Sequence, residues 1–263
     1  MSRLGLAGYA RTATMAAGVI WDSPLFLIDY ALRILRVLVL LALWRTIFGD
    51  RGSVNGIPLA AVLTYTVVGE IFAEQLSVRT TLMEALWEGT VVVRFLRPMG
   101  LIRQLSAEML GRWAVHWCLF SVPLFAIAPL LGVDPRPASW MNAALFGVSL
   151  VLAILVGLAM EVLFGALTVA LEQPHWIVEY TRTAVATLLS GSLLPLSLYP
   201  WNLGEIFSLL PFAAMAWAPL AIYTGTGQPA VLLGSQTIWC IVLWPLANWL
   251  WRANREKLAG YGG

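Results

Sequence analysis

The most constraining feature of this sequence is a run of 69 residues, from Thr183 to Trp251, that contains a single charged residue, Glu205. One membrane helix does not use that many residues, because about 20 suffice to cross the hydrocarbon core of a bilayer. Over the whole chain 60% of the residues are hydrophobic and 11% are charged, whereas charged residues make up about 25% of a typical soluble domain. The sequence therefore predicts an integral membrane protein.

The apolar runs predict an all-α fold with a domain of six transmembrane helices over residues 25–251. The helices are predicted at residues 25–48, 57–76, 113–131, 140–171, 184–198 and 229–250. Between them, residues 77–112 are too charged to lie in hydrocarbon and form a cytoplasmic segment, while residues 199–228 form an external region expected to re-enter the edge of the bilayer. Residues 1–24 are either a cytoplasmic tail or an interfacial helix, and residues 252–263 are a cytoplasmic tail.

The distribution of basic residues predicts that both termini lie in the cytoplasm. With that orientation, eleven Lys and Arg residues fall on the cytoplasmic side, whereas only Arg51 and Arg136 fall in external loops. An excess of Lys and Arg in cytoplasmic loops sets the orientation of most membrane proteins. We therefore expect a multi-pass protein with both ends inside the cell.

Three carboxylates are predicted to lie inside the spans. Glu70 and Glu74 are four residues apart and share one face of the second span, while Glu161 lies between Gly157 and Gly165 on a predicted close-packing face of the fourth. Ionisable groups at such positions are costly and often functional, so Glu70, Glu74 and Glu161 are candidate residues of a polar path through the membrane. The alternative is that they form ion pairs or packing contacts with neighbouring helices.

The cytoplasmic segment carries eight of the thirty charged residues and begins with an amphipathic pattern. Leu82 and Leu86 mark one face of a short helix, Glu84 and Glu88 mark another, and Gly89 ends it. The pattern predicts a helix that lies along the membrane surface with its carboxylates in water.

A proline corner follows this helix. Pro98 disfavours the helical conformation for Arg97 and is itself well suited to open a helix. The next helix is predicted over residues 99–111. The tripeptide Leu-Arg-Pro that ends at Pro98 therefore turns the chain between two helices of the cytoplasmic segment.

No motif for catalysis is found in the sequence. It contains no GxxxxGK[ST] phosphate loop, no HExxH and no GxSxG motif, and its two histidines, His116 and His175, form no metal-ligand pattern. It also lacks the basic surface that nucleic acid binding requires. We therefore predict a non-enzymatic chain with no cofactor or metal of its own and no nucleic-acid partner.

Three stretches of the sequence resemble one known family. They are WEGTVVVRFLRP after the second span, SGSLLPLSLYPWNLGEIFSLLPFAAMAWAP before the last span, and a basic tail that ends in Tyr-Gly-Gly. Their order and spacing are similar to those of ABC-2 type permease subunits, in particular the branch of six-span bacterial exporter permeases. The most specific parts are the Leu-Arg-Pro corner and the spacing of a set of mostly glycine and proline residues around the external region, namely Gly191, Pro195, Pro200, Pro211, Phe212 and Pro219.

The resemblance implies a permease subunit of an ATP-driven exporter in the inner membrane of a bacterium. In this family two permeases, identical or homologous, sit among membrane lipids on two separate ATPase subunits that bind ATP and Mg. On this sequence the ATPase-coupling residues would be Leu82, Glu84, Leu86, Glu88, Arg94, Arg97 and Pro98. The external cap would comprise Pro195, Pro200, Pro211, Phe212 and Pro219, and the tail residues Arg252 and Arg255 would add a contact. The cargo is expected to be a small or amphipathic molecule, as in multidrug or antibiotic efflux.

Two other functions stay open at the level of the sequence. One is a secondary transporter driven by protons through Glu70, Glu74 and Glu161, although neither an inverted repeat nor paired broken helices are detected. The other is a membrane scaffold that recruits partners without transport. ATP-driven export differs from the first because it does not need the proton gradient, and from the second because its ATPase activity depends on cargo.

Overall fold

The computed structural model describes residues 3–21, 25–49, 51–54, 56–172, 174–254 and 257, and most of them are helical. The helices, in chain order, are α1 (Arg3–Trp21), α2 (Phe26–Phe48), α3 (Leu59–Ile71), α4 (Ala73–Leu76), α5 (Leu82–Trp87), α6 (Val91–Phe95), α7 (Leu101–Leu131), α8 (Trp140–Leu171), α9 (His175–Leu189), α10 (Leu203–Ser208), α11 (Pro211–Met215), α12 (Trp217–Tyr223) and α13 (Pro229–Ala253). Turns of 3-10 helix lie at Leu196–Leu198 and Pro200–Asn202. An antiparallel hairpin of two short strands, β1 (Ser53–Val54) and β2 (Ile57–Pro58), joins α2 to α3.

Among the described residues, three helices are long and apolar enough to cross a membrane, namely α7, α8 and α13. The helix α2 has 23 residues, but it carries the charged residues Asp29, Arg33, Arg36 and Arg45. The second predicted span is divided at Phe72 into α3 and α4. Taken alone, α3 and α9 are about 20 Å long, less than the ~30 Å hydrocarbon core of a bilayer. The structure supports an all-α membrane fold, while the six spans and the cytoplasmic position of the coupling helix stay predictions.

The helix α7 is continuous where the sequence predicts two elements. A cytoplasmic helix is expected over residues 99–111 and a span over residues 113–131, but the chain passes through Gly111 without a break. A single glycine weakens a helix by about 1 kcal/mol and does not end it. A π-helical turn at Trp117–Ser121 and a final 3-10 turn at Ala128–Leu131 are the irregular parts of α7.

The helix α1 packs along α7, and Gly111 allows it to come close. A Cβ atom at Gly111 would lie 2.0 Å from the carbonyl oxygen of Ala13. A second contact lies about one turn earlier in both helices, where the hydroxyl of Tyr9 donates to that of Ser106 at 3.2 Å. From the Tyr9 contact to the Gly111 contact, the residue number rises in both helices, from Tyr9 to Ala13 in α1 and from Ser106 to Gly111 in α7. The two helices therefore lie side by side and run parallel. The N-terminal region is thus helical, and its location at a membrane interface stays a prediction.

The helix α9 differs in its bounds from the fifth predicted span, residues 184–198. It begins at His175 and ends at Leu189. Gly191 then turns the chain with a φ of +73°, and a Cβ atom there would lie 2.9 Å from the Cβ atom of Trp217. Because the left-handed conformation and this close contact both favour glycine, the apolar residues that follow continue as short turns and not as a longer helix.

The core of the molecule is organised around α8. This helix packs against α13, α12, α11, α5, α9 and α4. A Cβ atom at Gly157 would lie 2.6 Å from Cγ2 of Val78, and one at Gly165 would lie 3.1 Å from Cδ2 of Leu82. Val78 precedes α5 and Leu82 begins it, so this part of the chain lies directly on the core helix. The close-packing face predicted around Gly157 and Gly165 is confirmed.

Candidate functional site

Two of the three candidate carboxylates form ion pairs with α2. Glu70 lies 2.5 Å from Nη2 of Arg36, and Glu74 lies 2.7 Å from Nη2 of Arg33. The guanidinium of Arg33 also contacts Asp29, one helical turn away, at 2.8 Å. The ion-pair interpretation of Glu70 and Glu74 is confirmed, and it accounts for both charges without a transported proton. A polar path through them stays a prediction.

The third carboxylate, Glu161, joins three parts of the chain at one buried point. It is 1% exposed and forms a close ion pair with Arg182 of α9, which is 6% exposed. Its other oxygen accepts hydrogen bonds from the hydroxyl of Thr80 at 2.7 Å and from the backbone N–H of Thr80 at 3.2 Å. Arg182 also donates to the carbonyl of Val78 at 3.4 Å. The carboxylate therefore holds α8, α9 and the segment before α5 together.

The helix α5 has the amphipathic character that the sequence predicts. Leu82 and Leu86 are fully buried, whereas Glu84 and Glu88 are exposed. The buried leucines pack on Gly165 of α8, since a Cβ atom there would meet the methyl groups of both. The helix is thus fixed to the core by its apolar face and presents its carboxylates outward.

A network of polar side chains locks α5, α6 and α7 to one another. Arg94 of α6 lies 2.8 Å from a carboxylate oxygen of Glu108 on α7 and donates to the hydroxyl of Thr81 at 2.8 Å. The hydroxyl of Thr81 donates in turn to Glu108 at 2.9 Å. The amide of Gln104, which is fully buried, donates to the carbonyls of Arg94 and Met99 at 2.8 and 2.6 Å. These bonds hold the proline corner in place.

Three partners of Arg94 in this network were not predicted from the sequence, namely Thr81, Gln104 and Glu108. One signal was available, because Gln104 and Glu108 are four residues apart and so share a helix face. The structure places Arg94 in the interior, where its side chain is 14% exposed. In contrast, Arg97 and Pro98 are exposed at the corner.

The surface around the corner is apolar as well as charged. Five large hydrophobic side chains of α6, the corner and the start of α7 are more than a third exposed, namely Val92, Val93, Phe95, Leu96 and Ile102. Together with Arg97 and the carboxylates of α5 they form one continuous stretch of the chain, which we call the corner surface. Exposed apolar patches with a charged rim are typical of sites that bind another protein or a membrane.

The predicted cap residues lie in the region of short turns and helices that precedes α13. Pro195 and Pro219 are buried, Pro211 and Phe212 are partly buried, and Pro200 is exposed. Most of α11 and α12 is buried against α8 and α13. The prolines therefore shape a packed part of the protein.

This region lies beside α13 and not beyond its end. Gln236 donates to the carbonyl of Ala214 at 2.8 Å, and Trp239 donates to the carbonyl of Leu209 at 3.2 Å. Measured from Pro229, where α13 begins, these two donors lie about 10 and 15 Å along the helix. The short helices thus occupy a position that suits a re-entrant region, and their depth in a bilayer stays a prediction.

The opposite end of the region is tied to the loop before α8. The hydroxyl of Tyr223 donates to the carbonyl of Pro135 at 2.6 Å, and the backbone N–H of Ala138 donates to the carbonyl of Tyr223 at 3.0 Å. Burial and the nearby carboxylate of Asp134 raise the pKa of Tyr223 to about 12. The hydroxyl therefore stays protonated, and keeps its hydrogen bond, to a higher pH than that of an ordinary tyrosine.

The family model described as ABC-2 family transporter protein matches residues 34–262. The chain belongs to the ABC-2 transporter family. The matched range includes the corner surface and the whole region of short helices before α13, whereas α1 lies outside it. A search among curated proteins finds no match.

Membership of the ABC-2 family makes the protein a multi-pass membrane permease of the ABC transporter class, in which ATPase activity resides in separate subunits. Within the described parts of this ABC-2 chain, no three His, Cys, Asp or Glu side chains lie close enough to hold a metal ion. The corner surface, the buried Glu161, the α2 ion pairs and the region of short helices before α13 are the candidate functional sites.

Proposed function

We propose that this chain is the membrane-spanning subunit of an ATP-driven exporter in the inner membrane of a bacterium, with both termini in the cytoplasm. Two separate ATPase subunits bind ATP and Mg and dock on two permeases, this chain and an identical or homologous one. The complex exports a small or amphipathic molecule. Family membership supports the class of protein, and the geometry of α5 supports the way in which the motor is coupled.

The observation that carries the proposal is the position of α5. Its leucines, Leu82 and Leu86, are buried on α8 while its carboxylates, Glu84 and Glu88, point outward. A helix with this arrangement is rigidly joined to the membrane domain and still offers charge to a second protein. Movement of a docked ATPase would therefore pass to α8 without an intervening flexible linker.

Two contacts supply the route from α5 into the bundle. The first is the packing of Leu82 and Leu86 on Gly165. The second is the bond from Thr80, just before α5, to Glu161 and through it to Arg182 of α9. ATP shifts the bundle between two states only if the docked ATPase has unequal affinity for them. A displacement of α5 changes both contacts at once, which gives the ATPase a means to favour one state.

The remaining coupling residues divide into two roles. Arg97 and Pro98 are exposed and belong to the docking surface together with the apolar side chains around them. Arg94 acts from the interior by holding the corner through Thr81 and Glu108. At the end of α13, Arg252 is exposed and available for a further contact, whereas Arg255 lies outside the described residues.

The region of short helices before α13 acts as the external cap in this proposal. Its prolines Pro195, Pro211 and Pro219, with Phe212, give it a compact path beside α13, and Pro200 lies on its surface. Hydrogen bonds hold this region at two places. On its inner side Gln236 of α13 donates to the carbonyl of Ala214, and on its outer side Tyr223 donates to the carbonyl of Pro135.

The experiment that tests the coupling role is charge reversal on α5. In the double variant Glu84→Lys and Glu88→Lys, we expect cargo-stimulated ATP hydrolysis to fall by at least about tenfold, because an ATPase surface that attracts these carboxylates would repel the lysines that replace them. Both side chains are exposed, so membrane insertion and yield should not change. The measurement is ATPase activity of the reconstituted complex with and without cargo.

The matched control is Asp134→Lys, which reverses an exposed carboxylate in the loop before α8. It should leave stimulated hydrolysis unchanged. Normal stimulation in the α5 double variant would show that the ATPase docks elsewhere.

A further inference from the structure

A polar groove of about 300 Å³ lies between the first half of α2 and the segment that follows α3. It is lined by Asp29, Arg33 and Arg36 of α2 and by Glu74, Ser77 and Arg79 of the later segment. The groove thus shows both signs of charge to a molecule that enters it. The proposed coupling mechanism makes no use of it.

The arginines of the groove differ in how far they are already paired with carboxylates of the protein. Arg33 is engaged by both Asp29 and Glu74, and Arg36 is engaged by Glu70 but is half exposed. Arg79 is exposed, and within the described chain its guanidinium makes no hydrogen bond or ion pair.

The carboxylate of Asp29, on the wall of the groove, also has acceptor positions that are free for further hydrogen bonds. The carboxylate of Asp29 contacts only Arg33 among the described side chains and is 57% exposed. A carboxylate has about four acceptor positions. The groove therefore has a free cation at Arg79, a partly free cation at Arg36 and a partly free anion at Asp29.

The groove opens onto an apolar surface. Leu32 both lines the groove and is 59% exposed. Three more hydrophobic residues are each more than half exposed, namely Ile28 and Leu35 on α2 and Leu25 just before it. In a membrane protein, exposed side chains of this kind face acyl chains, so a ligand of the groove can have a charged head and an apolar tail.

We propose that the groove binds the headgroup of a zwitterionic phospholipid that carries a primary ammonium, such as phosphatidylethanolamine. The phosphate accepts hydrogen bonds from Arg79 and Arg36, since guanidinium groups bind phosphate through parallel N–H donors. The ammonium donates to Asp29, and the acyl chains lie along the exposed leucines of α2. A purely anionic lipid satisfies the arginines but leaves the free acceptor positions of Asp29 unused. This inference rests on the membrane location of the chain and not on its coupling to an ATPase.

The test is native mass spectrometry of the full chain in detergent, titrated with phosphatidylethanolamine, phosphatidylcholine and phosphatidylglycerol of identical acyl chains. Phosphatidylcholine keeps the phosphate but lacks N–H donors, and phosphatidylglycerol lacks the cation. We expect phosphatidylethanolamine to bind about tenfold more tightly than either, the effect of one charge-assisted hydrogen bond. Soluble glycerophosphoethanolamine, which has the headgroup without acyl chains, should compete poorly.

Two variants assign the contacts. Arg79→Gln should weaken binding of phosphatidylethanolamine about tenfold, and it disturbs no side-chain contact within the described chain. Asp29→Asn should abolish the preference for phosphatidylethanolamine over phosphatidylcholine while retaining binding of both. Arg51→Gln is the matched control, because Arg51 is an exposed arginine remote from the groove, and it should change nothing.

Three results would overturn the proposal. They are equal binding of phosphatidylethanolamine and phosphatidylcholine to the natural protein, a preference for phosphatidylglycerol, and competition by glycerophosphoethanolamine as strong as that of the lipid. An effect of Arg51→Gln equal to that of Arg79→Gln would also overturn it, because any exposed arginine would then suffice.

Discussion

The carboxylate of Glu161 and the guanidinium of Arg182 are both more than nine-tenths buried, and they pair between α8 and α9. Removal of one member of such a pair leaves the other charge buried without a partner, which is far more costly than the pair itself is stabilising. Thr80 adds two hydrogen bonds to the same carboxylate. This site therefore has a large influence on stability although it binds no ligand in our proposal.

We expect Glu161→Ala to lower the free energy of unfolding by about 3 kcal/mol or more, because Arg182 then lacks its counter-ion. The double variant Glu161→Ala and Arg182→Ala should be less destabilised than the sum of its single variants. Thermal unfolding of the purified protein in mild detergent measures both. The control is Glu172→Ala, whose ion pair with Lys257 is exposed at 3.0 Å and should contribute less than about 1 kcal/mol. Equal losses in Glu161→Ala and Glu172→Ala would contradict the assignment.

At the scale of secondary structure, the contact between α1 and α7 depends on the absence of a side chain at Gly111. A Cβ atom there would lie 2.0 Å from a backbone oxygen of α1, and backbone cannot move aside as a flexible side chain can. The two helices form one unit with the corner, since Glu108 of α7 holds Arg94. The packing of α1 thus supports the part of α7 that carries this network.

The variant Gly111→Val should displace α1 from α7. Local opening of a helix raises its rate of proteolysis, so trypsin should cleave after Arg11, an exposed residue of α1, roughly tenfold faster. The control is Gly147→Val in α8, where a Cβ atom meets nothing within 4 Å. Unchanged cleavage after Arg11 in the Gly111 variant would mean that α1 does not depend on this contact.

At the scale of the whole molecule, the bundle has no ATPase motif of its own and carries the corner surface on a rigid part of the fold. In the proposed function, ATP hydrolysis is supplied by separate subunits that assemble with this chain. We therefore expect purification in mild detergent to recover a nucleotide-binding protein at two copies for every two membrane subunits. Copurification followed by mass measurement of the complex tests this, and a complex without a nucleotide-binding protein would contradict it.

Local patterns in the sequence predicted the elements whose character depends on nearby residues. The amphipathic face of α5 and the close-packing face of α8 at Gly157 and Gly165 both follow from spacings of three or four residues. Such spacings place side chains on one face of any helix, whatever surrounds it. Residues Glu70 and Glu74 could be placed on one face for the same reason, but their partners could not be named.

The tertiary structure decided the contacts between residues that are distant in the chain. Thr80 and Glu161 are 81 residues apart, and no periodic pattern connects them. The choice of Arg182 as the counter-ion of Glu161, the continuity of α7 through Gly111 and the end of α9 at Leu189 depend likewise on which helices pack together. The sequence alone determined that the chain is an apolar helical membrane protein with an amphipathic, proline-cornered segment, because composition and periodicity are local properties. Only the fold decided which side chains meet, because burial and ion pairing depend on the simultaneous positions of several helices.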